Sequence, residues 1–463
     1  MMNRRDALRV MGSGFGMTAF AGMLGASTTA AGGSAPMGPH FPAKAKRVIF
    51  LFLNGGPSHV DTFDPKVMLD KHNGEIPPQS ATSIPAAGHL VQTGTLMKSP
   101  FQFRKYGQSG IEVSEIFSKV GECIDDVCVV RSMYSDIPNH PQGLFMMNCG
   151  HSLAGRPAMG SWLLYGLGTE NQNLPGFVVL APGLPIMAPQ IWNSAFLPAS
   201  YQGTWVQNNE TDPEKLIPYI RNTVETSAEQ RRKLDLLGKL NHLQLDRQGP
   251  SPQLEATIQG METAFRMQVD AVDAFDIGKE SEATRAAYGD GEFARGCLMA
   301  RRLSERGVRM VQVYYGAGQP WDSHTDIMDH RKHAALSDQP IAALLKDLKA
   351  RGMLQDTLVM IGGEFGRTPA VESKGSTLQN GRDHNSAGFT MLLAGAGVKA
   401  GTVYGATDDF GFKAVENPVH VHDLHATILH LCGFDHTRLT YRYSGRDFRL
   451  TDVAGNVVKG ILA

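Results

Sequence analysis

Six short apolar runs without regular polar alternation set the tightest limit on how this chain folds: Val48–Leu53, Val127–Val130, Phe177–Leu180, Val308–Tyr315, Thr357–Ile361 and Phe389–Leu393. A strand with one face in water alternates polar and apolar residues, whereas a strand covered on both faces does not. The runs therefore predict a parallel sheet buried between helices. Helical patterns lie between them. In "DQPIAALLKDLKARG", Ile341, Leu344, Leu345 and Leu348 share one face, Asp338 stands at a cap position and Gly352 at a stop. "VHDLHATILHLCG" repeats the design with Val421, Leu424, Ile428 and Leu431 before Gly433. Strands alternating with amphipathic helices predict an α/β architecture with helices on both faces.

Two stretches break this rhythm. Residues 64–110 are rich in Pro, Gly and Ser and read as a surface excursion; residues 212–306 are helical in pattern and read as a helical insertion on one side of the sheet. The 463 residues suffice for one large domain or two ordinary ones. Residues 1–31 hold the twin Arg4 and Arg5, a Gly/Ala-rich apolar run and small residues near Thr29–Ala31, and are identified as a twin-arginine (Tat) signal peptide. Residues 32–463 then form a single domain, expected to be periplasmic or extracellular, with the Tat export machinery as a partner. Beyond Ala31 no apolar run approaches the ~18 residues that span a bilayer, so no transmembrane segment is expected in the mature chain. A formal net charge of −1 gives a nucleic-acid partner no electrostatic support. The five cysteines show no zinc spacing and read as core residues, with Cys123–Cys128 as the disulfide candidate.

The polar chemistry gathers where strands end. "NGGPSHVD" (Asn54, His59, Asp61) follows the first run, "RSMYSDIPNHPQG" (Arg131, Asp136, His140) the second, "WDSH" (Asp322, His324) the fourth and "GGEFGRTP" (Glu364, Arg367) the fifth. "NGRDHNS" (Arg382, Asp383, His384) precedes the last. Ligands of open α/β sheets bind outside the carboxyl ends of the strands, so these groups are expected in one cleft. Carboxylates and imidazoles together suit divalent zinc, manganese or iron. Two forked guanidiniums, Arg367 and Arg131, suit an anion's oxygens.

Taken together, "FLNGGPSHVDTFDPK", "WDSH", "LVMIGGEFGRTP", "GRDHNSAGF" and "VHDLHATILHLCGFDHTRLTYRYSGRDFRLTD" resemble the alkaline phosphatase/sulfatase superfamily. More closely they resemble its Tat-exported, sulfatase-like branch, the domain-of-unknown-function family numbered fifteen-oh-one. The resemblance implies an alkaline phosphatase-like three-layer sandwich with a mostly parallel central sheet. It also implies a divalent metal cofactor (zinc, manganese, calcium or magnesium). Asp322, His324 and His384 match its ligand positions, with Asp383 adjacent. Three departures mark a remodelled site: Asn54 stands in place of a bridging Asp, Glu364-Phe365 in place of an Asp-His pair, and Asp136, beside Ser135, in place of a nucleophile. No Cys-x-Pro-x-Arg signature is present. The expected ligand set is Asp322, His324, Glu364 and His384, completed by Asn54 or Asp61. His140 or Asp136 would act as general base, and Arg367 or Arg131 would steady the anion. The expected activity is metal-dependent hydrolysis of small-molecule or glycan phosphate or sulfate esters. The alternative is a non-catalytic metal- or glycan-binding envelope protein that retains the fold.

Overall fold

Every residue of the first run, from Val48 to Leu53, is buried, and the reason is that its two faces feed two separate cores. Ile49 and Leu51 join one cluster with Val129, Val311 and Val359; Val48, Phe50 and Phe52 join the other with Cys128, Met310, Leu358 and Met360. The period of two is present, but both phases are apolar, so it is invisible in the letters. The computed structural model describes residues 37–84, 89–90, 94–213, 215–216, 224–249, 252–374 and 377–463.

The sheet is built from β1 (Arg47–Phe52), β2 (Val127–Tyr134), β3 (Phe177–Leu180), β4 (Thr204–Val206), β5 (Met310–Tyr314), β6 (Thr357–Gly362), β9 (Phe389–Ala394), β10 (Thr402–Tyr404) and β11 (Val419–His420). A separate hairpin, β7 (Gly366–Lys374) with β8 (Thr377–Asn385), joins β6 to β9. The sheet order is β10-β2-β9-β6-β1-β5-β3-β4, with β11 beside β2. All pairs are parallel except those of β9, which runs antiparallel to both β6 and β2. Helices cover both faces, so the expected three-layer α/β arrangement with a mostly parallel sheet is present. One face carries α6 (Glu292–Glu305) and α7 (Asp329–Ala350). The other carries α2 (His140–Cys149), α3 (Met159–Leu167) and α8 (Val421–Leu431). A four-residue helix, α1 (His59–Thr62), follows β1, and α4 (Ser227–Gln248) pairs with α5 (Pro252–Phe275), whose Met267, Ala274 and Phe275 join the core that holds Ile49 and Leu51.

Several expectations are corrected. Asp338 does not start a helix: α7 begins at Asp329, and the Asp338 carboxylate instead accepts from the Lys119 and Val120 amides at 2.9 and 2.8 Å, capping a neighbouring turn. The helical stretch 212–306 is not all insertion, because α6 is a buried layer of the core. Within the surface excursion 64–110, residues 94–97 clamp the β7–β8 hairpin. Gly94 and Met97 donate to Val371 and Pro369 carbonyls at 2.9 and 3.0 Å, and Val371 donates to Thr95 at 2.9 Å, which fixes the β7–β8 hairpin. All five cysteines are free and buried, so Cys123 and Cys128 are not bonded. No described helix is long and apolar enough to cross a membrane. The signal-like residues 1–31 lie outside the described residues.

Candidate functional site

At the carboxyl edge of the sheet, the loop after β5 delivers Asp322 and His324, and the turn after β2 delivers His140. His140 opens α2 behind an extended Asn139 N-cap, with Pro141 following it in the first helical turn, where its missing N–H costs nothing. His384 arrives from the end of β8. It precedes β9 in sequence, yet it reaches the same edge because β9 is antiparallel and starts where its neighbours finish.

These four side chains form one cluster, with ligand-type atoms all within 4.8 Å of one another. Its centre is Asp322 Oδ1, which lies 2.8 Å from His324 Nε2 and 3.2 Å from both His140 Nε2 and His384 Nε2. Arg367 Nη2 donates to the same oxygen at 2.5 Å. Each imidazole is anchored behind by its other nitrogen. His140 Nδ1 faces Glu364 Oε1 at 2.6 Å, His324 Nδ1 faces Glu372 Oε2 at 2.5 Å, and His384 Nδ1 faces the Pro138 carbonyl at 2.7 Å. A carboxylate or carbonyl behind Nδ1 holds the proton there and leaves Nε2 as the bare nitrogen. Buried His140 Nε2 makes no well-aligned hydrogen bond. Three bare nitrogens and one carboxylate oxygen converging on a point repel one another unless a proton or a cation lies between them. The donor set therefore fits a divalent ion.

The turns explain the spacing. Gly55 has φ +113°, and a Cβ there would lie 2.7 Å from the Trp321 and Asp322 amides, so only glycine lets the "WDSH" loop pass. Gly55 N donates to Glu364 Oε1 at 3.1 Å, which orients the carboxylate that holds His140. Phe365 packs its ring 4.7 and 4.8 Å from those of His140 and His384.

The remaining expected residues lie elsewhere or act differently. Asn54 turns away: its Nδ2 donates to the Gly316 and Gly318 carbonyls at 2.9 and 2.6 Å, bracing the loop that carries Asp322. Asp61 is fully buried against Arg382, at 2.7 and 3.1 Å, and ties α1 to the hairpin. Asp136 pairs with His420 Nε2 at 3.1 Å, outside the cluster. Arg131 donates to the Phe63 carbonyl at 2.7 Å beside Asp64. Arg367 belongs to the cluster but is fully buried, its donors turned to the Gly55, Gly56 and Arg382 carbonyls and to Asp322. Glu364 is an anchor behind His140 rather than a member of the four. Asp383 sits at the rim, 3.9 Å from His324 Nδ1, and forms a second group with His324 and Glu372. Glu372 is not singled out by the sequence motifs; its one signal there is a carboxylate inside the strand after "GGEFGRTP".

Electrostatics follow from this geometry. Burial opposes charge on Asp322, but in the ion-free protein the adjoining rings of His140, His324 and His384, once protonated, and the charge of Arg367 hold it well below the usual carboxylate range. Burial also pulls His140 down, and the adjacent Asp322 and Glu364 carboxylates more than offset it, so its pKa is raised. His324 is raised chiefly by Asp322. His384 is lowered by burial, with Arg367 and His140 adding to the effect. A histidine whose folded pKa is raised stabilises the fold most below its ordinary value of 6.5 and loses that contribution as pH climbs through the folded value. We expect the metal-free protein to melt at progressively lower temperature as pH rises above 6.5, and a saturating divalent ion to remove that slope. A metal-free melting temperature that stays flat or rises over that range would contradict the assignment of the protons.

The fold and this cluster define an α/β protein with a histidine–carboxylate site, competent for a metal ion, at the carboxyl edge of a mostly parallel sheet. Residues 45–462 match the family described as protein of unknown function (DUF1501), and the chain belongs to that family. A search of curated proteins finds no match. Among solved structures the chain is similar to Ps i-CgsB in complex with k-i-k-neocarrahexaose, with 14% identity and TM-score 0.33 over 68% of this chain and 66% of that one. It is also similar to the PsFucS1 sulfatase from Pseudoalteromonas sp., with 13% identity and TM-score 0.30 over 68% of this chain and 62% of that one. A third is the phosphonate monoester hydrolase SpPMH from Silicibacter pomeroyi, with 10% identity and TM-score 0.31 over 68% of both chains. The chain spans just under two thirds of the first two.

Proposed function

We propose that the protein is an exported, metal-dependent hydrolase of phosphate or sulfate esters whose single ion is held by His140, Asp322, His324 and His384. The observation that supports this most is the convergence of three Nε2 atoms on Asp322 Oδ1, each ring fixed from behind by an acceptor. A set of three imidazoles and one carboxylate favours zinc or a similar transition ion over calcium or magnesium, which prefer oxygen shells. When bound, such an ion supplies Lewis acidity toward an ester oxygen and lowers the pKa of water. The chain's own parts orient and move protons. Glu364, Glu372 and the Pro138 carbonyl lock the three rings, and Arg367 fixes the Asp322 carboxylate. Asp383, 38% exposed at the rim with one oxygen held by the His384 amide at 2.7 Å, is placed to take a proton from solvent. Export by the twin-arginine route belongs to the same reading, since a folded protein can carry its ion across the membrane.

One observation favours the second reading, a metal-binding protein without turnover. Arg367 is buried with its donors engaged, and Arg131, within β2, is turned to the Phe63 carbonyl, so neither guanidinium faces an ester's oxygens. Elemental analysis of the purified protein, then a panel of phosphomonoester, phosphodiester and sulfate ester substrates, separates the two. We expect about one ion per chain and turnover abolished in Asp383→Ala with the ion retained. An ion without turnover on any ester selects the second reading, and no ion after reconstitution removes both.

A further inference from the structure

Helix α4 carries leucines on both an inner and an outer face, and only the inner face is packed. There Gln230 and Leu234 are buried, Gln268 Nε2 of α5 donates to Gln230 Oε1 at 2.8 Å, and Arg231 grips both Glu262 oxygens at 2.8 and 2.6 Å. The outer face turns Leu236, Leu240 and Leu243 to solvent, with exposures of 59, 53 and 53%. Their spacing of four and then three residues sets them in one row on a helix that turns every ~3.6 residues. Leu237, 39% exposed, widens the row. Exposed apolar side chains scattered singly are ordinary, whereas a contiguous row of them marks an interaction surface.

The charges around the row identify what it meets. Residues three or four positions from one of these three leucines adjoin it on the helix surface. The charged residues in those places are the cations Arg232, Lys233, Lys239 and Arg247 and the single acid Asp246. Lys233 is paired with Glu225, while Arg232, Lys239 and Arg247 make no ion pair among the described residues. The other acids of the helix are engaged: Glu229 accepts from the Thr226 amide and hydroxyl at 2.8 Å, and Asp235 accepts from Arg231 Nε at 2.8 Å. A second copy of this chain suits the row poorly. Antiparallel pairing about its middle sets Leu236 against Leu243 and Lys233 against Asp246, yet it also sets Arg232 against Arg247 and Lys239 beside its own counterpart, where like charges repel. Anionic lipid headgroups instead pair with the unpaired cations and leave the leucines free to enter the acyl boundary.

We infer that α4 docks the protein on the surface of an anionic phospholipid bilayer, lying along it with Leu236, Leu240 and Leu243 at the boundary between headgroups and acyl chains and Arg232, Lys239 and Arg247 on lipid phosphates. The inner face keeps its contacts with α5, so docking leaves the helix pair as it stands. No described helix is long and apolar enough to cross a membrane, and an attachment made only by this face is reversible and weakened by salt.

Flotation of the full-length protein with vesicles of phosphatidylcholine alone, or of phosphatidylcholine mixed with phosphatidylglycerol, tests this. We expect binding to the mixed vesicles that falls as salt is raised and is weaker by about tenfold or more on phosphatidylcholine alone. Leu240→Ser combined with Leu243→Ser, and separately Lys239→Gln combined with Arg247→Gln, should each weaken it by about tenfold or more while the melting temperature stays at the wild-type value. Equal binding to both kinds of vesicle, binding that neither double variant weakens, or no binding at all overturns the inference. It is overturned equally if lipid-free protein dimerises through the row, seen as concentration-dependent sedimentation that the leucine variant abolishes. Should the leucine variant fail to fold, Lys239→Gln combined with Arg247→Gln decides it.

Discussion

Asp322→Ala is expected to cost the protein its divalent ion, lowering affinity by more than about 100-fold. The magnitude follows from what Asp322 Oδ1 does. It is the one carboxylate oxygen in the four-residue cluster, it lies within 3.2 Å of three imidazole nitrogens, and it is the charge partner of fully buried Arg367. Without it, the ion would face three neutral rings and an arginine whose remaining partners are carbonyls. An outer contact is worth less. Glu372→Gln, which disturbs only the acceptor behind His324, should lower affinity by about 10–100-fold, the range seen for groups that orient a metal ligand. Competition against a chromophoric chelator measures both. Equal effects of the two substitutions, or wild-type affinity in Asp322→Ala, would sink the proposed ligand set.

The second large effect is on stability. Asp61→Ala should destabilise the fold by about 3–5 kcal/mol, the usual cost of leaving one member of a buried ion pair alone. Arg382 and Asp61 are both fully buried, and the guanidinium also donates to the Thr368 and Met97 carbonyls at 3.2 and 3.0 Å. This arginine therefore joins α1, the hairpin and the 94–97 clamp. Asp61 accepts from Ser58 Oγ as well, at 2.5 Å, so its removal leaves two buried donors unpaired. Urea unfolding gives the free energy, and elemental analysis of the folded fraction should give an unchanged ion content. A loss of the ion at little cost in stability would return Asp61 to the ligands.

The sheet and the place of the chemistry were legible in the letters. Runs apolar in both phases appear only where two cores are filled, and five polar motifs at run boundaries marked one edge of the sheet. Direction was harder to read. The Phe389–Leu393 run looks like its parallel neighbours because burial does not record strand polarity, yet its reversal is what places His384 at the shared edge. Which acidic residue points at the cluster was not legible either. The β7–β8 hairpin changes register on either side of Val371, so whether Glu372 or a neighbour reaches His324 depends on bulges that the sequence does not display.

What the sequence by itself determined is therefore the layered α/β architecture, membership of a family, and the edge at which imidazoles and carboxylates collect, because burial and turn chemistry are local properties of residue type. Tertiary structure alone decided which of those groups meet. It joined His140 to Asp322, His324 and His384, and gave Asn54, Asp61, Arg131 and Asp136 to other partners. Hydrogen bonds act over about 3 Å, a distance fixed only when strands far apart in the chain are set side by side.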